Sequence, residues 1–237
     1  MITIESGVKH LSQTYLGIVY LDPTNLNKKC SEADAKANRN QDGTITGVKS
    51  GCMKWYIYDE NSTSYTAILD HNTTVRVQYN SDNVNTSQKE VAITLTNDTA
   101  GWGTKGEEVI DLNPRLITAD EVAKITGVSW NSSSAIESNW FYFDSKNQTR
   151  TNMSQGASNY AWLFDNLGWY YEPCTNYGCN INDTTISAGY WTNTPVAESD
   201  SSAWNVIRYG ILYFVGSNEA GYGLRPVITI SKSLFNS

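Results

Sequence analysis

Four cysteines are the residues of this 237-residue chain whose type and spacing best suit chemistry, and they form two local pairs: Cys30 with Cys52, and Cys174 with Cys179. The spacings Cys-x21-Cys and Cys-x4-Cys do not match those of zinc ribbons. The two histidines, His10 and His71, stand far from both pairs. An even count with local pairing therefore favours two disulfides in an oxidising compartment, with free or metal-binding thiols as the alternative.

A second stretch with ligand-like spacing is Asn38-x-Asn40-x-Asp42-Gly43, which matches the first half of a calcium-binding loop. Such a loop needs a bidentate Glu at its twelfth position, which is Lys49 here. We therefore predict a turn at this stretch and no metal site.

Motifs for catalysis or phosphate binding do not occur in the chain. It contains no Gly-x-Ser-x-Gly nucleophile elbow, no Walker loop and no His-Glu-x-x-His zinc motif. Acidic pairs such as Glu107-Glu108 are more often solvated than catalytic. We therefore expect no enzyme activity, no catalytic residue and no cofactor.

The composition favours a protein of the cell exterior. Hydrophobic residues make up 40% and charged residues 17% of the chain, and Asn, Ser, Thr, Gly and Tyr fill the difference. The formal net charge of −7 repels phosphate backbones, which argues against a nucleic-acid partner. We expect an extracellular or cell-surface α+β protein with long polar loops.

Periodicity and capping signals predict two short helices in the middle of the chain. Capping boxes occur at residues 87–90 and 118–121, each followed by apolar residues at helical spacing, and Gly127 is placed to end the second helix. Residues 6–20 also have apolar side chains near helical spacing, whereas residues 24–51 are polar and irregular. We therefore divide the chain into an N-terminal helix and extension, residues 1–50, and a domain, residues 51–237.

The remaining apolar runs predict strands. They are residues 53–58 and 65–69 as a hairpin, 75–79, 140–143, two strands within 204–215, and 223–230, in which Pro226 lies near the strand's start. These patterns predict an α+β domain with two short helices, a small antiparallel sheet and long irregular loops.

Three motifs in order resemble those of formylglycine-generating-enzyme (sulfatase-modifying) domains. They are Arg115-Leu-Ile-Thr-Ala-Asp-Glu121, Tyr190-Trp-Thr-Asn-Thr-Pro195 followed by Ser202-Ala-Trp204, and Gly223-Leu-Arg-Pro-Val227. This resemblance implies a C-type-lectin-like fold from about residue 51 to the end. Enzymes of that family use a thiol pair with a metal, which makes an oxidase using Cys174 and Cys179 an alternative, but the family's cysteine context is missing here.

The chain also resembles the variable proteins of diversity-generating retroelements, and surface proteins of gut Firmicutes, some of which carry a pilin-type N-terminal helix. Variable proteins of this type bind ligands through a hypervariable segment before the last strand, here residues 205–222. The resemblance implies ligand contacts at Asn205, Ile207, Arg208, Tyr209, Ile211, Tyr213, Phe214, Ser217, Asn218, Ala220 and Tyr222. Adenine mutagenesis of Asn codons reaches all of these residue types but not Glu, so Glu219 is either a fixed position or evidence against this resemblance.

The residues of this segment have the composition of a binding surface by themselves. Tyr and Arg supply contact area and strong contacts, and Ser, Asn and Gly adapt to the ligand. We therefore expect an adhesin-like protein with an unknown protein or glycan ligand, and as the alternative a pilin-like or surface-layer subunit without a dedicated ligand. The hypothesis requires the side chains predicted to contact the ligand to share one exposed face. Val206, Leu212 and one of Tyr213 and Phe214 should then lie in the core. Trp204 and Arg225 should belong to one sheet.

Overall fold

The structure is a computed structural model that describes residues 4–5, 14–41, 48–132, 140–142, 159–164, 187–207 and 210–235. It is a mixed α+β protein. The helices of the described residues are α1 (Glu32–Gln41), α2 (Lys89–Asp98), α3 (Ala119–Thr126) and α4 (Ala161–Phe164), and a 3₁₀ turn follows at Lys232–Phe235.

Most of the strands lie in two six-stranded sheets. The first sheet has the strand order β1-β2-β3-β4-β14-β8: β1 (Ile4–Glu5), β2 (Gly17–Leu21), β3 (Met53–Glu60), β4 (Ser64–Leu69), β14 (Pro226–Ser231) and β8 (Arg115–Leu116). The second has the order β5-β13-β10-β11-β12-β9: β5 (Thr74–Val77), β13 (Tyr222–Leu224), β10 (Gly189–Pro195), β11 (Ser202–Ile207), β12 (Ile211–Gly216) and β9 (Trp140–Tyr142). A separate hairpin joins β6 (Thr104–Lys105) to β7 (Glu108–Val109). The prediction of one small sheet was therefore wrong, because the predicted strands divide between two sheets and the short edge strands carry no clear sequence signal. The prediction of two helices was also wrong, since the described residues contain four.

The predicted N-terminal helix is wrong for the part of residues 6–20 that the structure describes. Gly17–Leu21 is a strand that pairs antiparallel with β3. Val19, Tyr20 and Leu21 are all buried, as expected for a β-rich run covered on both faces. The boundary predicted at residue 50 runs through this sheet, since β2 and β3 lie on opposite sides of it in the sequence.

Helix α1 lies in the segment that the sequence predicted to be irregular. Cys30, just before it, forms the predicted disulfide with Cys52. The Asn38 side chain donates to the carbonyls of Ser50 (2.9 Å) and Cys52 (3.0 Å). The predicted turn is therefore wrong at Asn38, which lies in the helix; Asp42 and Gly43 lie outside the described residues.

Helix α3 begins and ends where the sequence predicts. The Thr118 hydroxyl accepts from the backbone N–H of Glu121, and the Glu121 carboxylate accepts from the backbone N–H of Thr118. Gly127 ends the helix with a φ of 70°, a conformation that favours glycine.

Helix α2 forms without its predicted capping box. Its N-cap residue is Gln88, which makes no side-chain cap bond. The Glu90 carboxylate accepts instead from the backbone N–H of Ser81 (2.7 Å), and the Ser87 hydroxyl accepts from the Asn80 side chain (2.8 Å). The two residues of the motif thus bind the preceding loop, a tertiary interaction that replaces the local one.

The main core lies between the sheets. Tyr56 and Ile68 of the first sheet and Trp204 and Val206 of the second belong to one buried cluster, to which α3 contributes Val122. No helix in the described part of the chain is long and apolar enough to cross a membrane.

The chain passes from one sheet to the other at Arg225, between β13 and β14. The expectation that Trp204 and Arg225 share one sheet is therefore wrong. The buried Arg225 guanidinium donates to the carbonyls of Trp162 and Leu163, both at 3.0 Å, and lies over the Tyr190 ring. Pro226 opens β14, as predicted from its missing N–H.

Candidate ligand-binding site

The C-terminal hairpin, β11 and β12, carries most of the residues predicted to bind a ligand. The strands pair in continuous register from Ser202 opposite Gly216 to Ile207 opposite Ile211. The turn contains Gly210 at a φ of 70°. Because side chains alternate along a strand, this register fixes which residues share a face.

One face of the hairpin packs into the main core. It carries Trp204 opposite Phe214 and Val206 opposite Leu212. The expectation that Val206 and Leu212 lie inside is confirmed. One of Tyr213 and Phe214 was predicted to lie inside, and Phe214 is the one that packs on this core. Its ring centroid lies 5.0 Å from that of Trp204.

The opposite face places Asn205 between two aromatic residues. Asn205 is opposite Trp191 on β10 and opposite Tyr213 on β12. Ile207 and Ile211 form the next pair along this face, and both are buried. This face is therefore covered and is not an open binding surface.

The structure thus corrects the expectation of one shared exposed face. Of the predicted ligand contacts, the buried ones are Asn205, Ile207, Ile211 and Ser217. The half-buried ones are Tyr213, Phe214 and Tyr222, and the exposed ones are Asn218 and Ala220. Arg208 and Tyr209 lie outside the described residues.

The exposed members belong to the loop of residues 217–221, which we call the 217–221 loop. Its backbone is held by three residues from two other segments of the chain. The N–H of Asn80 donates to the carbonyl of Ser217 (3.0 Å), the side chain of Gln78 to that of Asn218 (2.6 Å), and the N–H of Ala188 to that of Gly221 (2.9 Å).

Despite these bonds, the 217–221 loop directs Asn218, Glu219 and Ala220 to solvent. The N–H of Glu219 donates to the carbonyl of Gly216, the last residue of β12 (3.0 Å). The arrangement presents side chains on a backbone that is already ordered, which lowers the entropy cost of binding. No local sequence signal indicates these contacts, and Gln78 and Asn218 are 140 residues apart in the chain.

Asn205 is the unusual residue on the covered face. It has no exposed surface, and neither its amide nitrogen nor its amide oxygen has a hydrogen-bond partner. A buried polar group without a partner costs about 1–3 kcal/mol. Residue type alone could not have revealed this, because an Asn in a strand is usually satisfied by its neighbours.

Tyr222 connects the 217–221 loop to this face. Its ring centroid lies 5.0 Å from that of Trp191, the cross-strand neighbour of Asn205. Trp191 is itself fixed, because its indole N–H donates to the carbonyl of Val77 (2.8 Å). The loop and Asn205 are therefore linked through one rigid aromatic residue.

The motif of residues 115–121 builds a polar cluster elsewhere on the molecule. Arg115 binds the Glu121 carboxylate with both terminal nitrogens, at 2.8 and 2.6 Å, and the Tyr58 hydroxyl donates to Glu121 (2.9 Å). Burial raises the pKa of Glu121, but the hydrogen bonds from Arg115, Thr118 and Tyr58 outweigh it and hold that pKa below its usual value.

A small cavity of about 210 Å³ borders this cluster and is lined by Thr14, Tyr58, Asp59, Glu121, Lys124 and Ile125. The polar contacts of Glu121 are taken by Arg115, Tyr58 and Thr118. The motif therefore anchors α3 to β3 and β8, and its residues act as scaffold.

The remaining candidates for chemistry give no site among the described residues. Cys174, Cys179 and His10 lie outside them. His71 is buried, and its Nε2 lies 2.8 Å from the Val48 carbonyl oxygen. The described residues contain no group of three His, Cys, Asp or Glu side chains arranged to hold a metal ion.

No protein-family model, curated protein or solved structure matches this chain.

Proposed function

We propose that this protein is a cell-surface, adhesin-like ligand-binding protein, without catalytic activity, that binds a protein or glycan through its C-terminal region. We further propose that its fold is the C-type-lectin-like fold of the formylglycine-generating-enzyme subtype and that it is the variable protein of a diversity-generating retroelement. The ordered motifs of residues 115–121, 190–204 and 223–227 support this fold assignment.

The predicted face of residues 205–222 is covered, and Trp204 and Arg225 do not share one sheet, so the proposal depends instead on the 217–221 loop. Its backbone is hydrogen-bonded to Asn80, Gln78 and Ala188, and it still presents Asn218, Glu219 and Ala220 to solvent. These three hydrogen bonds hold the backbone of the loop in one conformation. A fixed loop with exposed polar side chains is what a binding surface requires.

The disulfide between Cys30 and Cys52 supports a location outside the cytoplasm, because such bonds persist in oxidising compartments. The acidic surface supports a ligand that is neither nucleic acid nor strongly anionic.

Binding of the full chain to an array of defined glycans and receptor ectodomains tests the proposal. The double variant Asn218→Ala/Glu219→Ala should lose a wild-type signal by tenfold or more. The double variant Glu107→Ala/Glu108→Ala, on the separate hairpin of β6 and β7, should keep it. A signal that both variants keep, or the absence of any specific signal, would exclude this binding surface.

The retroelement assignment has a separate test in the source genome. We expect a template repeat and a reverse transcriptase gene near this gene, and sibling sequences that differ within residues 205–222. Siblings that differ uniformly along the chain would contradict the assignment.

A further inference from the structure

Asn205 has a property that the scaffold does not require. It occupies the middle of a covered sheet face whose described neighbours are Trp191, Tyr213, Ile207 and Ile211, and both of its amide atoms lack partners. Leu or Val would fill such a position without leaving polar atoms unsatisfied. Retention of a destabilising polar group is typical of a residue that serves function.

The unpaired nitrogen and oxygen of the Asn205 amide define the kind of ligand group that would hydrogen-bond to them. A carboxamide offers N–H donors and a carbonyl acceptor side by side in one plane. A second amide, with its own N–H and carbonyl, satisfies both in a single planar contact. The described residues of this face carry no charged side chain, and the chain as a whole is acidic, so a neutral amide suits the position better than a carboxylate.

Of the described neighbours of Asn205 on this face, Tyr213 is the least buried. Asn205 and Trp191 are fully buried, whereas Tyr213, the opposite neighbour, is half-buried. Displacement of the Tyr213 ring would open the face next to Asn205. The same ring then offers an aromatic surface on which the apolar face of a sugar ring packs.

We propose that Asn205 is the base of a closed subsite for the acetamido group of an N-acetylated hexosamine, with the sugar ring resting on Tyr213. This inference rests on the proposed function, because it names the ligand class of the same C-terminal region. The ligand must open the subsite before it binds, so its apparent affinity is reduced by the fraction of molecules that are open.

The test is an NMR titration of the full chain with two disaccharides that differ in the acetamido groups, N,N′-diacetylchitobiose and cellobiose. We expect shifts of the Asn205 and Tyr213 amide signals with diacetylchitobiose, and a dissociation constant at least tenfold lower than for cellobiose. Asn205→Leu should abolish that preference. The matched variant Asn27→Leu, an exposed Asn after β2, should keep it.

Equal affinity for the two disaccharides, or an unchanged preference in Asn205→Leu, would overturn the inference. N-acetylglycinamide provides a third arm: binding as tight as that of diacetylchitobiose would exclude the sugar as the class of ligand. If the array still shows binding that depends on the 217–221 loop, only this inference fails. If that binding is also absent, the proposed function fails with it.

Discussion

Two buried asparagines near the C-terminal hairpin differ in whether their side chains are hydrogen-bonded. The Asn85 amide donates to the carbonyls of Val196 (3.0 Å) and Ser202 (2.9 Å), whereas Asn205 has no partner. Burial alone would rank the two residues as equal, since Asn85 is 7% and Asn205 0% exposed. Their effects on stability should therefore have opposite signs.

We expect Asn205→Leu to raise the free energy of unfolding by about 1 kcal/mol, because it removes unsatisfied polar atoms. Asn85→Leu should lower it by about 1–3 kcal/mol, because the buried carbonyls that share the two N–H groups of the Asn85 amide, among them those of Val196 and Ser202, lose that donor. Urea unfolding of the two variants measures both changes. A loss of stability in both would show that Asn205 is satisfied in solution.

The sequence could not distinguish these two residues. Asn85 and Asn205 are the same residue type. The partners of Asn85 depend on where residues 196–202 lie in space, and the surroundings of Asn205 depend on Trp191 and Tyr213. Residue-level reasoning did predict that Val206 and Leu212 lie inside, because alternation along a strand is a local property.

At the scale of single elements, helix α3 depends on one carboxylate. Because the pKa of Glu121 is lowered in the folded protein, its contribution to stability is present above the unfolded pKa of about 4.3. That contribution is lost as the pH falls through the lower folded pKa.

We expect Glu121→Gln to be less stable than the wild type at pH 7 and to lose less stability between pH 5 and pH 3 than the wild type does. Urea midpoints at these three pH values measure both effects. Glu107→Gln, at an exposed position, serves as the control and should leave the pH profile unchanged. If the stability of the wild type and of Glu121→Gln changes in parallel with pH, Glu121 does not contribute to the pH dependence.

The position of helix α1 depends on the disulfide that precedes it. The Cys30–Cys52 disulfide closes a loop with a sequence separation of 22, which predicts a contribution of about 3 kcal/mol. Cys30→Ser/Cys52→Ser should lower the stability by about that amount. Unfolding in urea tests this, and a variant as stable as the wild type would show that Asn38 and the packing of α1 suffice.

Local signals predicted an element correctly only where no tertiary contact competed with them. The Thr118 capping box forms because both partners lie within one turn. The Ser87 box does not form, because Ser81 and Asn80 compete for the same side chains. The run of residues 17–21 is a strand because its pairing with β3 overrides its approximately helical spacing.

At the scale of the whole molecule, one buried residue joins the two sheets. The α+β class was predictable from the mixture of helix and strand signals, but the strand orders were not, because β14 pairs with β4 and β8, which are distant in sequence. The last strands, β13 and β14, belong to different sheets, and Arg225 lies between them. Its guanidinium holds the carbonyls of α4 and contacts the Tyr190 ring of β10.

Arg225→Met should therefore destabilise both sheets together. The variant keeps most of the side-chain volume but leaves the carbonyls of Trp162 and Leu163 buried without this donor, which costs about 3 kcal/mol. Far-UV circular dichroism and tryptophan fluorescence should report the same lowered urea midpoint, because both sheets share the core that Arg225 closes. Lys29→Met, at an exposed position before α1, should change stability by less than about 0.5 kcal/mol. If fluorescence and circular dichroism separate in Arg225→Met, the two sheets unfold independently and Arg225 does not couple them.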